Sequence, residues 1–131
     1  MQARYDEQFI PAFRANGLRD PEGYRLLLTH VGARSGNPRT TGLAYYDLGE
    51  RTIVVAGNGG APKHPAWYHN VVANPQVVVE RDGERWDAVA SILTGDDYAA
   101  IWARIAEIQP TVNDFQASVE LQIPLVELSR A

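Results

Sequence analysis

"QVVVERDGERWDAVASIL", residues 76–93, consists of two β-rich arms around the dipeptide Asp82-Gly83. Asp-Gly between such arms tolerates the positive φ angles of a two-residue hairpin turn, so the segment reads as two antiparallel strands. Upstream, "YRLLLTHV" (24–31) is a short apolar run suited to a buried strand. "TTGLAYYDL" (40–48) leads through a Gly49-Glu50 turn into the β-branched run "RTIVVAG" (51–57). Downstream, "QIPLVELS" (122–129) is a last strand, and Pro124 favours an edge position because it cannot donate to a ladder. Strands joined mostly by hairpins give a mainly β (α+β) fold with an antiparallel sheet. About six such strands in a small chain curl into a barrel, which removes exposed edges.

Two helices are expected to pack outside that barrel. In "ARYDEQFIPAFRANG", Tyr5, Phe9 and Phe13 recur at i, i+4 and i+8, predicting a helix over 4–15 that Gly17 stops and Pro11 kinks. Tyr98, Ile101, Trp102, Ile105 and Ile108 predict a second over 95–109, ended by Pro110. Asp97 stands at capping-box spacing from Thr94, with Asp96 in the same first turn. The following "IQPTVNDFQAS" (108–118) reads as a loop.

At 131 residues the chain reads as a single domain, 1–131, large enough to bury a core without staples. Its 45% hydrophobic and 21% charged content is ordinary for a globular protein. A net charge of −4 argues against nucleic-acid partners, which want a basic surface. With no cysteine, disulfides and thiolate metal sites are excluded. His64 and His69 are five residues apart, off the helical i, i+4 metal spacing, so no metal site is expected. "MQARYDEQFIPAF" lacks the apolar core of a secretory signal, and no stretch approaches the roughly 20 apolar residues of a membrane span. A cytoplasmic location is the expectation. The Tyr5-Phe9-Phe13 stripe leaves open either packing on the barrel or peripheral contact with a membrane.

Two segments are too elaborate to be connectors. "VGARSGNPRTTGL" (31–43) puts Arg34, Ser35 and Arg39 around Gly32 and Gly36. Forked guanidiniums, a hydroxyl and outward-facing amides make an anion cradle. No Lys-Ser/Thr follows the glycines, so it is not a Walker A loop, and no helix with an acidic ribose partner makes it a dinucleotide fingerprint. A hairpin loop with solvated arginines is the plain alternative. In "AGNGGAPKHPAWYHNVVANP" (56–75), Asn58-Gly59-Gly60 directly follows a strand, where glycine lets a flat ligand approach the backbone. Trp67 and Tyr68 can wall a ring system, or Trp67 can simply be core; Asn70 can bind ring edges or its own loop.

Together these segments resemble the deazaflavin-dependent nitroreductase family of actinobacteria, within the flavin/deazaflavin oxidoreductase superfamily of FMN-binding-like split β-barrels. The likeness runs in order from about Tyr24 to Leu128 and includes the closing "IPLVEL". It implies coenzyme F420 as cofactor, with FMN as the alternative used by related barrels. On that likeness Arg34, Ser35, Gly36, Asn37, Pro38 and Arg39, preceded by Leu28 and Thr29, hold the phosphate and acidic tail. Leu43, Ala44 and Tyr45 line the pocket. Val55, Ala56, Gly57 and Asn58, with Gly59 and Gly60, meet the ring, and Trp67 and Asn70 flank it. Gln109, Val112 and Phe115 fall on the substrate side, where nitroreductases of the family carry tyrosines. Gly42 stands where the family commonly has proline, and Gly57 where it has serine.

The implied activity is hydride transfer from the reduced deazaflavin to a quinone-, enone- or nitro-type acceptor, a small molecule. A non-catalytic protein that sequesters the cofactor, and an FMN-binding reductase, are the alternatives. Tyr24, Tyr45, Tyr68 and His64 are proton-donor candidates by residue type, and nothing in the sequence selects a catalytic residue among them. A homodimer is compatible with the family.

Overall fold

The computed structural model describes residues 2–131, with side chains from Tyr5 onward. Among these, the elements are α1 (Gln2–Ala15), β1 (Arg25–Val31), β2 (Pro38–Ala44), β3 (Tyr46–Leu48), β4 (Arg51–Val55), α2 (Ala66–Ala73), β5 (Gln76–Arg81), β6 (Glu84–Ile92), α3 (Gly95–Ile108), α4 (Thr111–Ala117) and β7 (Leu125–Arg130). The hairpin forms as its turn chemistry requires. Asp82 and Gly83 take φ values of 52° and 79°, and Arg81 pairs with Glu84 across them.

All strands join one antiparallel sheet in the order β2-β1-β5-β6-β7-β4-β3. There are seven strands rather than about six, because the run 40–48 is broken at Tyr45. Its amide donates to the Tyr24 carbonyl at 3.1 Å, so β2 pairs with β1 while β3 pairs with β4. The two edge strands are thereby consecutive in the chain, one residue apart, and the sheet curls into a split barrel.

Side-chain alternation separates the two faces. Leu26, Leu28, Val54, Ala56, Val77, Val79, Ala88, Ala90, Val126 and Leu128 fill the interior, and Trp67 and Val71 of α2 join them. On the outer face, Ile53 and Leu125 pack against Ile101 and Ile105 of α3 and Val112 of α4. Elsewhere outside, Leu27 packs under Phe9 and Phe13 of α1. The aromatic stripe of α1 therefore lies on the barrel. Each such fully buried side chain contributes roughly 1.5–3 kcal/mol.

Strand directions decide which loops share an end. β1, β6 and β4 run one way and β5 and β7 the other. Loop 32–37 after β1, loop 56–65 after β4 and segment 119–124 before β7 consequently gather at one end of the barrel.

Several local expectations are corrected. Pro124 does not mark an edge: β7 lies between β6 and β4, and Pro124 stands just outside its ladder, accepting the Ala56 amide at 2.9 Å. The capping box does not form. Thr94 makes no side-chain cap, and Asp97 is taken by a two-pronged contact with Arg51, which also grips Glu127 of β7. Charge-assisted paired bonds outcompete a single cap hydrogen bond. Helix α3 stops at Ile108, and the expected loop is largely helix α4, tied to α3 by Trp102 Nε1 donating to Asn113 Oδ1.

Gly42 has a packing reason. A Cβ there would sit 2.5 Å from Cδ2 of Phe9, and its amide donates to Asp6 Oδ1 at 2.9 Å. A proline could do neither.

Asp20 anchors the turn between α1 and β1. It accepts Nε and Nη2 of Arg25 at 2.9 Å each and the amides of Glu22, Tyr24 and Arg25. Burial raises its pKa, but those bonds outweigh it and bring it from 3.8 down to about 2. A depressed carboxylate stabilises the fold above the unfolded pKa and loses that contribution as pH falls from about 4 to 2. Asp20→Asn should therefore destabilise by about 2 kcal/mol at pH 7, with the gap to wild type narrowing at pH 3, as read from urea unfolding midpoints.

Candidate functional site

Loop 32–37 is closed on itself. Gly32 N donates to Asn37 O at 2.9 Å, Gly36 N to Gly32 O at 2.9 Å, and Asn37 N to Ser35 Oγ at 3.2 Å, with Gly36 at φ 72°. A Cβ on Gly32 would lie 2.4 Å from Ser35 Oγ, so glycine lets the serine fold over the turn. The amides of Arg34 and Ser35 have no partner among the described residues, and Arg34 and Arg39 are exposed with no acidic partner among them. Two open amides and a hydroxyl on one turn, with guanidiniums on it and on the strand that follows, are the chemistry of an anion nest.

A relay from the barrel interior fixes this loop. Ala33 N donates to Asn70 Oδ1 at 2.9 Å, and Asn70 Nδ2 lies 3.0 Å from His30 Nδ1. Asn70 and His30 are both buried. Burial, followed by the charge of Arg39, lowers the His30 pKa to about 4, so the ring is neutral at pH 7.

The second feature is a cleft enclosing about 230 Å³. One wall is the run Val55 to Ala61, including Gly59 and Gly60 at φ 59° and 84°. The facing wall is Val112 and Phe115 of α4 with Leu121 and Ile123. Asn58 closes its own loop, Nδ2 donating to Lys63 O at 3.1 Å. Gly57 has open space where a side chain would begin, so the serine common in the resembled family would fit there. Phe115 is 58% exposed at the mouth.

The structure thus divides the residues singled out from the sequence. Arg34, Ser35, Gly36, Asn37, Pro38 and Arg39 form the turn and the first residues of β2. Val55, Ala56, Gly57, Asn58, Gly59 and Gly60 share the cleft with Val112 and Phe115. Gln109 is not in it: it caps α3, its Nε2 donating to Thr111 Oγ1 at 2.8 Å. Leu28 is barrel core, and Leu43 and Tyr45 pack against the same cluster, while Ala44 is exposed. Thr29 shares a 2.8 Å hydroxyl contact with Thr40. Trp67 is core rather than a ring wall, and Asn70 is engaged by the relay.

Seven cleft residues were not singled out, among them Tyr46, Lys63 and Trp102. Trp102 belongs to the stripe read as core, and Tyr46 faces the cleft only because the strand breaks at Tyr45. Burial raises the Tyr46 pKa, so at neutral pH its phenol is protonated. Of the proton-donor candidates, Tyr24 is exposed beside Arg25, Tyr45 lies under Arg81, and Tyr68 packs on His64; none lines the cleft.

A curled antiparallel sheet with an anion nest and a glycine-floored apolar cleft at one end defines a split-barrel binder of flavin-like cofactors. The model of the F420H(2)-dependent quinone reductase family matches residues 4–129, and the chain belongs to that family. It is 36% identical over 108 residues to F420H(2)-dependent quinone reductase Rv1261c of Mycobacterium tuberculosis, covering 80% of this chain and 72% of that one. Among solved structures, an F420-H2 dependent reductase (FDR-A) superposes with a TM-score of 0.72 at 32% identity, covering 85% of this chain and 96% of that one. Another, described as a domain-swapped dimer, superposes with a TM-score of 0.74 at 28% identity, covering 96% and 99%. The protein is an oxidoreductase of this family, and its cofactor is coenzyme F420.

Removing the Asn70 amide would leave the Ala33 N–H without its acceptor and the buried His30 ring without its partner. Asn70→Ala should lower stability by about 2–4 kcal/mol, measured by urea unfolding at pH 7.

Proposed function

We propose that this chain works as one deazaflavin-binding domain, residues 1–131, that carries hydride from reduced coenzyme F420 to a flat, largely apolar quinone. The observation that carries the reading is the meeting, at one barrel end, of an anion nest and an apolar cleft floored by glycines. The nest suits an anionic tail: Arg34 and Arg39 offer forked charge, Ser35 a hydroxyl, and the amides of Arg34 and Ser35 two open donors. Backbone at Gly57, Gly59 and Gly60 lets a planar ring approach without meeting a side chain. Val55, Ala56, Val112 and Phe115 keep water from the transfer. When bound, the reduced cofactor supplies the hydride, and orientation and dryness are what the protein adds.

Acceptor preference follows from the α4 wall. Val112 and Phe115 offer no hydrogen bonds to a nitro group, and a nitro oxygen buried against them without a partner costs affinity. Tyr46, a protonated phenol, and Lys63 are the polar groups placed to meet a quinone carbonyl. No described helix is long and apolar enough to cross a membrane; a cytoplasmic site of action fits this reading. A homodimer is supported by the relative described as domain-swapped.

Coenzyme F420 should bind more tightly than FMN in parallel fluorescence titrations, since FMN lacks the acidic tail. Arg39→Ala should weaken F420 binding by about 1.5–3 kcal/mol, the scale of a charge-assisted hydrogen bond; unchanged affinity would mean a merely solvated arginine. Reduced cofactor should be oxidised faster by a menadione-like quinone than by a bicyclic nitroimidazole at matched concentration, followed by decay of the reduced-cofactor signal. The reverse order would refute the role given to the α4 wall. Tight cofactor binding with turnover of neither acceptor would favour a sequestering protein.

A further inference from the structure

From the geometry beneath the nest we infer that His30 is a positioning residue for cofactor binding, acting through Asn70 to set the direction of the loop amides. The inference rests on the reading that loop 32–37 holds the cofactor's anionic tail.

The Ala33 amide can only donate, so the Asn70 atom 2.9 Å away must be the carbonyl oxygen. That assignment turns Asn70 Nδ2 toward His30, 3.0 Å from Nδ1. An amide NH2 can only donate, so Nδ1 must be the acceptor and the ring proton must sit on Nε2. The relay thus runs in one direction, from backbone donor to amide to imidazole, and a single tautomer of His30 satisfies it. The next amides along the chain, those of Arg34 and Ser35, are the open ones of the nest.

His30 has no comparable structural need. It is 4% exposed at the end of β1, in the inward register of Leu26 and Leu28, and its Nε2 has no partner among the described residues. An aliphatic side chain would fill the place and exchange one unmatched donor, Nε2, for another, Asn70 Nδ2, so stability is about conserved. What an aliphatic residue cannot do is accept from Asn70. Without that acceptor the Asn70 side chain is held at one end only, by the Ala33 N–H, so its carbonyl is free to swing and the nest loses its fixed aim. The charged groups acting on His30, Arg39 of β2 and Asp6 of α1, oppose one another, and with burial the balance keeps the ring neutral at pH 7.

The test is titration of oxidised coenzyme F420 at pH 7, by fluorescence, into wild type, His30→Leu, His30→Gln and Arg39→Ala, each with its melting temperature. His30→Leu is expected to raise Kd at least fivefold without a lower melting temperature. His30→Gln, whose carbonyl can accept from Asn70, is expected to return to within about twofold of wild type. A leucine variant binding as wild type does, or a folded glutamine variant as weak as leucine, overturns the inference. If Arg39→Ala also leaves Kd unchanged, the assignment of the nest falls and this inference with it. If Arg39→Ala weakens binding while His30→Leu does not, only the role of His30 falls. Independently of any variant's folding, 15N NMR of wild type should find His30 as the neutral Nε2–H tautomer, and an Nδ1–H ring would refute the relay.

Discussion

The end of the barrel must be closed, and the closure is made by a single short helix. Helix α2 buries Trp67 and Val71 in the same interior cluster as the strands, so it cannot move without exposing core. That commitment makes Asn70, on the same helix, a fixed point from which the loop after β1 is held. Loop 56–65 leads from β4 into this helix and is fixed at both ends. Both halves of the candidate site therefore depend on apolar burial that neither half contains.

The division of labour at that end follows from solvent access. Arg34 and Arg39 stay exposed, where guanidiniums remain hydrated until an anion displaces water. The cleft beside them is lined mainly by backbone and apolar side chains, with Lys63 its one charged lining residue among those described. A hydride acceptor needs a dry, flat berth, whereas a charged tail needs donors. On the function proposed above, these opposite requirements fall to separate loops of one rim rather than to one mixed pocket.

On the opposite face of the wall, buried polar contacts attach α1 to the sheet. Arg14 grips Glu80, which is almost wholly buried on β5, through Nε at 3.2 Å and Nη2 at 3.0 Å. Asp6 accepts Thr41 Oγ1 and the Gly42 amide at 2.9 Å each. Gly42 departs from the proline of the resembled family because this helix lies so close over β2.

The amino-acid sequence by itself determined the strand hairpins, the two long helices, and the loops that carry anion-binding and ring-approach chemistry. Those features are local: turn glycines, β-branched runs and helical periodicity act over a few residues and show in the residue order. Only the tertiary structure decided what depends on distant partners. Tyr45 breaks a strand because its amide reaches Tyr24, and Pro124 escapes the edge because β4 and β6 both flank β7. Asp97 leaves its cap for Arg51 on another strand. The sequence left Trp67 open between core and ring wall, and Asn70 was legible as important but not as a relay, since its partners His30 and Ala33 lie on β1 and the loop after it, some 40 residues away. Tyr46, Lys63 and Trp102 join one cleft only once the sheet has curled, a juxtaposition no spacing along the chain records.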